Sequence, residues 1–394
     1  MHAREIRQGI QLIATVHWER RLFDSLIPLP DGTSYNAYLV KGSQATALLD
    51  TTDPVLQEEL LRELDTLDRL DYLVSHHSEQ DHAGTIPAVL ARFPEAILVC
   101  STKAKDLLET HLHIAPERIR TVADGETISL GDKTLHFLHT PWVHWPETMT
   151  TWVPEAKCLF SCDFLGSHLA TSEVFIADKA RVHEAAKRYF AEIMMPFRNV
   201  VRKNLDKISA CDFDLVCPSH GPVHDHPAFI IDAYRDWVSP QMRNEVVIPY
   251  VSMHGSTERM VKHLIDALAR HGVAVAAFDL AVTDIGKLAI ALVDAATLVV
   301  GTPTVHVGPH PAVYYAAHLA NLLRPKLKYA AIVGSYGWSS KAIEQIAGLI
   351  PNLKVDVLGT VLQKGLPTAD TYAQLDQLAA AIAQAHKNDP EVNA

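Results

Sequence analysis

No two cysteines in this chain are spaced as C-x-x-C. The five present, Cys100, Cys158, Cys162, Cys211 and Cys217, all lie in the first 217 of 394 residues. That spacing excludes a zinc knuckle or a four-cysteine iron module and leaves buried free thiols as the expectation. No apolar run is long enough to span a bilayer. The opening residues, Met1-His2-Ala3-Arg4-Glu5-Ile6-Arg7-Gln8, lack the apolar core of a signal peptide, so a cytoplasmic protein is expected. Positive charge is in deficit: 35 Lys and Arg stand against 46 Asp and Glu, a net charge of −11. This argues against nucleic acid or an anionic membrane surface as a partner. Neither G-x-G-x-x-G nor a Walker A loop occurs, so nothing points to a dinucleotide or ATP. There is no internal repeat or low-complexity tract.

What remains is a globular composition, 48% apolar and 21% charged, in a chain too long for one ordinary core. Two domains are expected, and the halves read differently. The first mixes strands and helices: strands at Asn36–Val40, Thr46–Asp50, Ile97–Cys100, Thr134–Leu138, Cys158–Cys162 and Leu215–Cys217, with a helix over Pro54–Leu70. The second alternates regularly. Strands at Val246–Val251, Val273–Phe278, Leu298–Gly301, Tyr329–Gly334 and Val355–Leu358 are interleaved with helices at Glu258–His271, Ile285–Ala295 and Thr371–His386. That alternation predicts a doubly wound, five-stranded parallel sheet. The polar stretch Ser239–Asn244 sets the boundary, giving domains of 1–244 and 245–394.

Histidine is abundant: 22 in all, 15 of them before residue 245. The densest segment is His77-Ser78-Glu79-Gln80-Asp81-His82, which follows the apolar run Tyr72-Leu73-Val74. Read as an extended turn, H-x-E-x-D-H places alternate side chains on one side, where they can converge on a metal pair. It looks like the metallo-β-lactamase signature H-x-H-x-D-H with glutamate in place of the second histidine. A hard carboxylate there moves the expected metal from zinc toward iron or manganese. Further ligand candidates follow other strands: His144 after Leu138, Asp163 after Cys162, and His220 after Cys217. His77, Glu79 and His144 could hold one metal, Asp81, His82 and His220 a second, and Asp163 could bridge them. His111, His113, His136, His168, His183, His224 and His226 are read as ordinary polar groups at loop bases; His76 is ambiguous because it abuts the motif.

In the second half, Ser252-Met253-His254-Gly255-Ser256-Thr257 leaves the first strand and opens a helix. Its hydroxyls and N–H groups suit one terminal phosphate, as in FMN. Pro303 and Thr304 leave the third strand, and Ser335, Tyr336, Gly337 and Trp338 the fourth, at strand ends where open α/β sheets bind ligands. Trp338 could lie against a flat ring.

Taken together, His77-x-Glu79-x-Asp81-His82, His144-Trp145-Pro146-Glu147, Asp163, Ser219-His220-Gly221, Ser252–Thr257 and Gly334–Ser339 resemble the flavodiiron proteins, or A-type flavoproteins, over nearly the full length. The resemblance implies a metallo-β-lactamase-like αββα sandwich with a non-haem diiron centre, followed by a flavodoxin-like domain holding FMN. It matches all seven iron-ligand positions and implies reduction of O2 to water, of NO to N2O, or both. It further implies a two-domain class fed by an external donor (rubredoxin, a deazaflavin coenzyme or a reductase) and a head-to-tail homodimer, with a dimer of dimers as an extension. Two places depart from the family pattern: His254, where an aromatic residue is common, and Val305-His306-Val307, where a His-Asn-Asn-like run is common. The residues also leave room for a zinc-type hydrolase with an accessory flavodoxin-like domain, and for a non-enzymatic flavin electron carrier.

Overall fold

The computed structural model describes residues 3–23 and 25–393. The chain divides into two compact units, Met1–Tyr189 with Phe197–Val238, and Phe190–Pro196 with Ser239–Ala394.

The first unit is built on two sheets. In spatial order, the larger runs Arg4–Arg7, Ile10–His17, Thr33–Lys41, Thr46–Leu49, Tyr72–Val74, Ile97–Ser101 and Ile119–Val122. Its first four strands pair antiparallel, and the pairs from Thr46–Leu49 to Ile119–Val122 are parallel. The smaller sheet runs Thr127–Ser129, Thr134–His139, Met149–Val153, Cys158–Cys162 and Leu215–Pro218. Strand alternation explains how the layers close. Tyr38, Val40, Leu49, Val74 and Val99 face inward and pack with Phe137, Met149 and Phe160 of the smaller sheet. Their neighbours Leu39, Leu48, Leu73 and Leu98 face outward and pack with Leu60, Leu64, Val89 and Leu108 of the covering helices. A sheet buried on both faces needs such apolar strands, and each fully buried Leu or Val contributes roughly 1.5–3 kcal/mol.

The second unit is a five-stranded parallel sheet in the order Ala274–Asp279, Met242–Tyr250, Ala295–Val305, Tyr329–Tyr336, Asp356–Lys364. This 2-1-3-4-5 order is the flavodoxin-like one. Met260, Val261 and Leu264 of the helix Ser256–Arg270 cover one face together with Leu375, Leu378 and Ile382 of Ala369–Asn388. Leu288, Val313 and Ile346, from Ile285–Leu292, Pro311–Leu323 and Ala342–Leu349, cover the other. No described helix is long and apolar enough to cross a membrane.

Several elements differ in extent from the sequence reading. The expected helix over Pro54–Leu70 is a 3-10 turn, Pro54–Leu56, capped by the Asp53 carboxylate, and a helix that stops at Leu64. The Leu67 N–H then bonds to the Leu64 carbonyl, and the turn carries Leu67 and Leu70 into the core. Residues 242–244, expected as linker, already belong to the strand Met242–Tyr250, whose first two residues pair with Val392–Asn393. The third strand runs to Val305 rather than ending at Gly301. Cys100, Cys158, Cys162 and Cys217 are buried free thiols, and Cys211 is half-buried.

Candidate functional site

Each ligand candidate of the first unit sits just beyond a strand. His77 follows Tyr72–Val74, His144 lies between Thr134–His139 and Met149–Val153, Asp163 follows Cys158–Cys162 and His220 follows Leu215–Pro218. The segment at 77–82 is not the alternating extended turn expected. Glu79 is extended and opens a one-turn helix, Gln80–Ala83, that carries Asp81 and His82. The turn separates the segment into two parts, with His77 and Glu79 on one cluster and Asp81 and His82 on the other.

The potential ligand atoms of His77, Glu79, His144 and Asp163 all lie within 4.8 Å of one another, as do those of Asp81, His82 and His220. Glu79 Oε2 is 3.0 Å from both His77 Nε2 and His144 Nε2. Asp81 Oδ1 is 3.3 Å from His82 Nε2, and its Oδ2 is 3.3 Å from His220 Nε2. Asp163 spans the two clusters. Its Oδ2 is 3.5 Å from His77 Nε2 and His144 Nε2, while its Oδ1 is 2.9 Å from His82 Nε2 and 3.2 Å from His220 Nε2.

The donor set fits a pair of cations. Both oxygens of Asp81, both ring nitrogens of His82 and Oδ1 of Asp163 are buried without a hydrogen-bond partner. Unpartnered buried polar atoms cost about 1–3 kcal/mol each, a cost removed if they are ligand atoms. Glu79, Asp81 and Asp163 would offset most of the charge of two divalent ions. Without the ions, the carboxylates lean on the imidazoles. Burial acts to raise Asp163, but the charge of His82 and contacts from His144 and His220 hold it well below the usual carboxylate range. Burial opposes the charged form of His220, yet Asp163 and Asp81 push it up to about 10.

A supporting layer fixes these rings. His77 Nδ1 donates to Glu147 Oε1 at 2.8 Å, and the same oxygen accepts the Ser78 N–H at 3.0 Å. His220 Nδ1 donates to the Ser34 carbonyl at 2.7 Å. Both bonds leave Nε2 free to ligate. Gly221 follows at φ +81°; a Cβ there would fall 2.2 Å from Ser167 Oγ. Its N–H donates to Ser34 Oγ and its carbonyl accepts from Asn36 Nδ2. His76 points elsewhere: Nδ1 meets Asp50 at 2.7 Å and Nε2 meets Thr151 at 2.7 Å, so both nitrogens are satisfied. His168, read from sequence as an ordinary loop histidine, instead packs 4.5 Å from the His220 ring. Sequence reasoning gave no role to Glu147, Ser34 or His168. The carboxylate of His144-Trp145-Pro146-Glu147 was a readable signal for the first; a backbone carbonyl offers none.

In the second unit, a cavity of about 450 Å3 opens at the strand ends. Of the residues expected there, Ser252, Met253, His254, Ser256, Pro303, Thr304, Ser335, Tyr336, Gly337 and Trp338 line it, joined by Val305, His306 and Gly365. Gly255 and Thr257 are not on the wall. Gly255 takes φ +83° to start the helix, and buried Thr257 holds Ser335 Oγ at 3.0 Å. Trp338 is 77% exposed, so it is not a core residue. Hydroxyls at one helix start and a free indole face suit a phosphate and a flat ring.

Comparison with known proteins identifies both domains. Residues 33–221 match the family described as ODP family beta lactamase, and residues 248–378 match Flavodoxin. A nitric oxide reductase of Moorella thermoacetica is 35% identical over 362 residues, 90% of each chain. The chain belongs to the flavodiiron protein family. Among solved flavodiiron structures, the rubredoxin oxygen:oxidoreductase of Desulfovibrio gigas superposes with a TM-score of 0.93 at 31% identity, covering 98% of both chains. The flavodiiron protein of Giardia intestinalis gives a TM-score of 0.91 at 28% identity over 99% of both.

Proposed function

We infer that this flavodiiron chain is a cytoplasmic oxidoreductase that reduces O2 to water, NO to N2O, or both, with electrons from an external carrier. The observation that carries this reading is Asp163, whose two oxygens face two separate ligand clusters in a chain that also has a flavin-sized cavity. Residues 1–244 are assigned the diiron chemistry, with His77, Glu79, Asp81, His82, His144, Asp163 and His220 as ligands. Residues 245–394 are assigned FMN.

When bound, the iron pair supplies redox equivalents and open positions for a small gas, and FMN supplies electron storage. The chain's own residues set the conditions. Glu147 and the Ser34 carbonyl hold His77 and His220 in the tautomer that presents Nε2. Glu79 and Asp81 would each offer one terminal carboxylate, beside two histidines per cluster and Asp163 between them. Burial of His77, Asp81, His82, Asp163 and His220 keeps bulk water from competing for the ligand atoms.

The test reduces the purified protein anaerobically, then follows O2 and NO consumption in parallel, with metal analysis on the same sample. Iron with consumption of either gas supports the reading; zinc with no consumption would replace it with a hydrolase. We further place two chains head to tail in a closed homodimer, so that the flavin of one serves the metal centre of the other. Mixing a His82→Ala chain with one altered in Ser252–Thr257 restores activity if electrons cross between chains. Loaded mixed dimers without activity refute the crossing.

A further inference from the structure

The parallel sheet of the second unit has two edges, and one of them is open along its length. The strand Asp356–Lys364 pairs on one side only, with Tyr329–Tyr336. Of its nine residues only Val361 is buried, and Val357 is 60% exposed. Sheet edges are usually blunted by a charge or a proline in mid-strand. From Val357 to Gln363 this strand has neither. A groove of about 330 Å3 runs beside it, between residues 358–361 and the flank of the helix Ala369–Asn388 that carries Gln374, Gln377 and Ala381. No residue lining the groove is charged.

The strand is complementary to itself. It reads Asp-Val-Leu-Gly-Thr-Val-Leu-Gln-Lys. Laid antiparallel against a second copy, with Thr360 on the axis, it sets Leu358 opposite Leu362, Gly359 opposite Val361 and Asp356 opposite Lys364. A slip of one residue either way puts both charges opposite uncharged neighbours. Within the chain, neither the Asp356 nor the Lys364 side chain has a salt bridge among the described residues. Pairing with Tyr329–Tyr336 shifts register at Leu358, a bulge that shortens that arm by about one residue. The flexible stem of Lys364 spans the offset. The opposite edge, Ala274–Asp279, offers no such match, since reversed on itself it sets Asp279 against Ala274. Bulk charge favours the same contact. Residues 239–394 hold 12 Lys and Arg and 12 Asp and Glu, so the net charge of −11 belongs to the rest of the chain. Two copies can meet through this unit without long-range repulsion.

We propose that the free edge of Asp356–Lys364 is a docking surface for a second copy of this chain, which adds its own Asp356–Lys364 strand antiparallel across a two-fold axis at Thr360. The two five-stranded sheets then continue into one another. Main-chain hydrogen bonds across the edge supply the affinity. The facing leucines and the two Asp–Lys pairs fix the register. The uncharged helix flanks at Gln377 and Ala381 close over the groove. This contact is separate from the head-to-tail pair, which joins a flavin to a metal centre. Where both form, the assembly is a pair of pairs.

The experiment sizes the full chain, loaded with iron and FMN, by light scattering after gel filtration. Thr360→Lys sets like charges face to face on the axis and should halve the mass of the assembly, whether the native chain is a pair of pairs or a single pair. Unchanged iron and FMN content shows that the variant is folded. Asp356→Lys, at an exposed strand end, should weaken association roughly fivefold, the order of two cross-strand charge pairs. Adding Lys364→Asp should restore it, which docking of a different protein on this edge would not do. Thr360→Cys should form a disulfide between chains on oxidation, above the background of the native cysteines, and Val357→Cys should not, because Val357 faces Gln363 and not itself. Equal masses for the native and Thr360→Lys chains overturn this docking and leave the head-to-tail pair standing. A mass halved by Thr360→Lys without rescue by the charge swap overturns the antiparallel self-pairing. A native chain that sizes as one copy overturns this contact and the head-to-tail pair together.

Discussion

Asp163 Oδ1 lies 2.9 Å from His82 Nε2, yet neither atom has a hydrogen-bond partner. Two buried polar atoms that approach without bonding are poor packing unless a cation belongs with them. The other oxygen of Asp163 faces His77 and His144 on the far cluster, at 3.5 Å from each, where both Nε2 atoms already meet Glu79 Oε2. One carboxylate would therefore serve both metals. Asp163→Asn should lower iron from close to two per chain to well below one, and activity should vanish with it. Metal analysis after gel filtration decides it: retention of both irons would remove Asp163 from the bridging position.

Glu147 acts one step back, through His77. Glu147→Gln keeps the size of the side chain but weakens the bond that orients the ring. The cost of losing such support is typically about 10–100-fold in metal affinity or activity. Chelator competition should show faster loss of iron from Glu147→Gln than from the native chain, with the overall fold unchanged by circular dichroism.

On the flavin side, heat or acid denaturation should release FMN and not FAD, read by chromatography, because the loop Ser252–Thr257 offers room for one terminal phosphate. The exposed indole of Trp338 is the candidate ring contact. Trp338→Ala should weaken FMN binding by about tenfold, the order of one aromatic contact, as measured by fluorescence titration.

Acid should destabilise both units through two buried histidines. His386 is held neutral: burial lowers it from 6.5 to about 4. Its Nδ1 donates to Asn244 Oδ1 at 2.8 Å and its Nε2 accepts from Thr297 Oγ1 at 2.6 Å. Burial likewise brings His224 from 6.5 to about 4. Between these values the unfolded chain binds protons the folded chain refuses, so stability rises with pH and is lost as pH falls from 6.5 toward 4. Urea midpoints at several pH values should fall across that window, and His386→Gln should fall less steeply than the native chain. Equal slopes would refute the assignment.

The sequence made the chemistry easier to read than the geometry. Metal ligation restricts side-chain type so strongly that seven residues from four loops could be grouped once the strands they follow were placed. The flavodoxin-like order was readable because its buried strands, such as Val246-Val247-Ile248 and Leu298-Val299-Val300, are continuous apolar runs. Local shape was less readable. Spacing alone could not separate an extended 77–82 from the helical turn that gives Asp81 and His82 to the second cluster. The helix over 57–64 was overextended because Leu67 and Leu70 keep the apolar spacing while the backbone turns. The Ser34 carbonyl that orients His220 belongs to the backbone, and no residue identity announces it.

Gly221 changes what counts as an intact centre. No side chain fits beside Ser167 at that position, and the backbone there is tied at both ends to Ser34 and Asn36. A relative with all seven ligands but a bulkier residue after the last histidine would pass any inventory of ligands, yet its final imidazole would be displaced. The absence of a side chain at 221 is thus as much a requirement of the site as the presence of His220, and a search for working members of the family should screen for both.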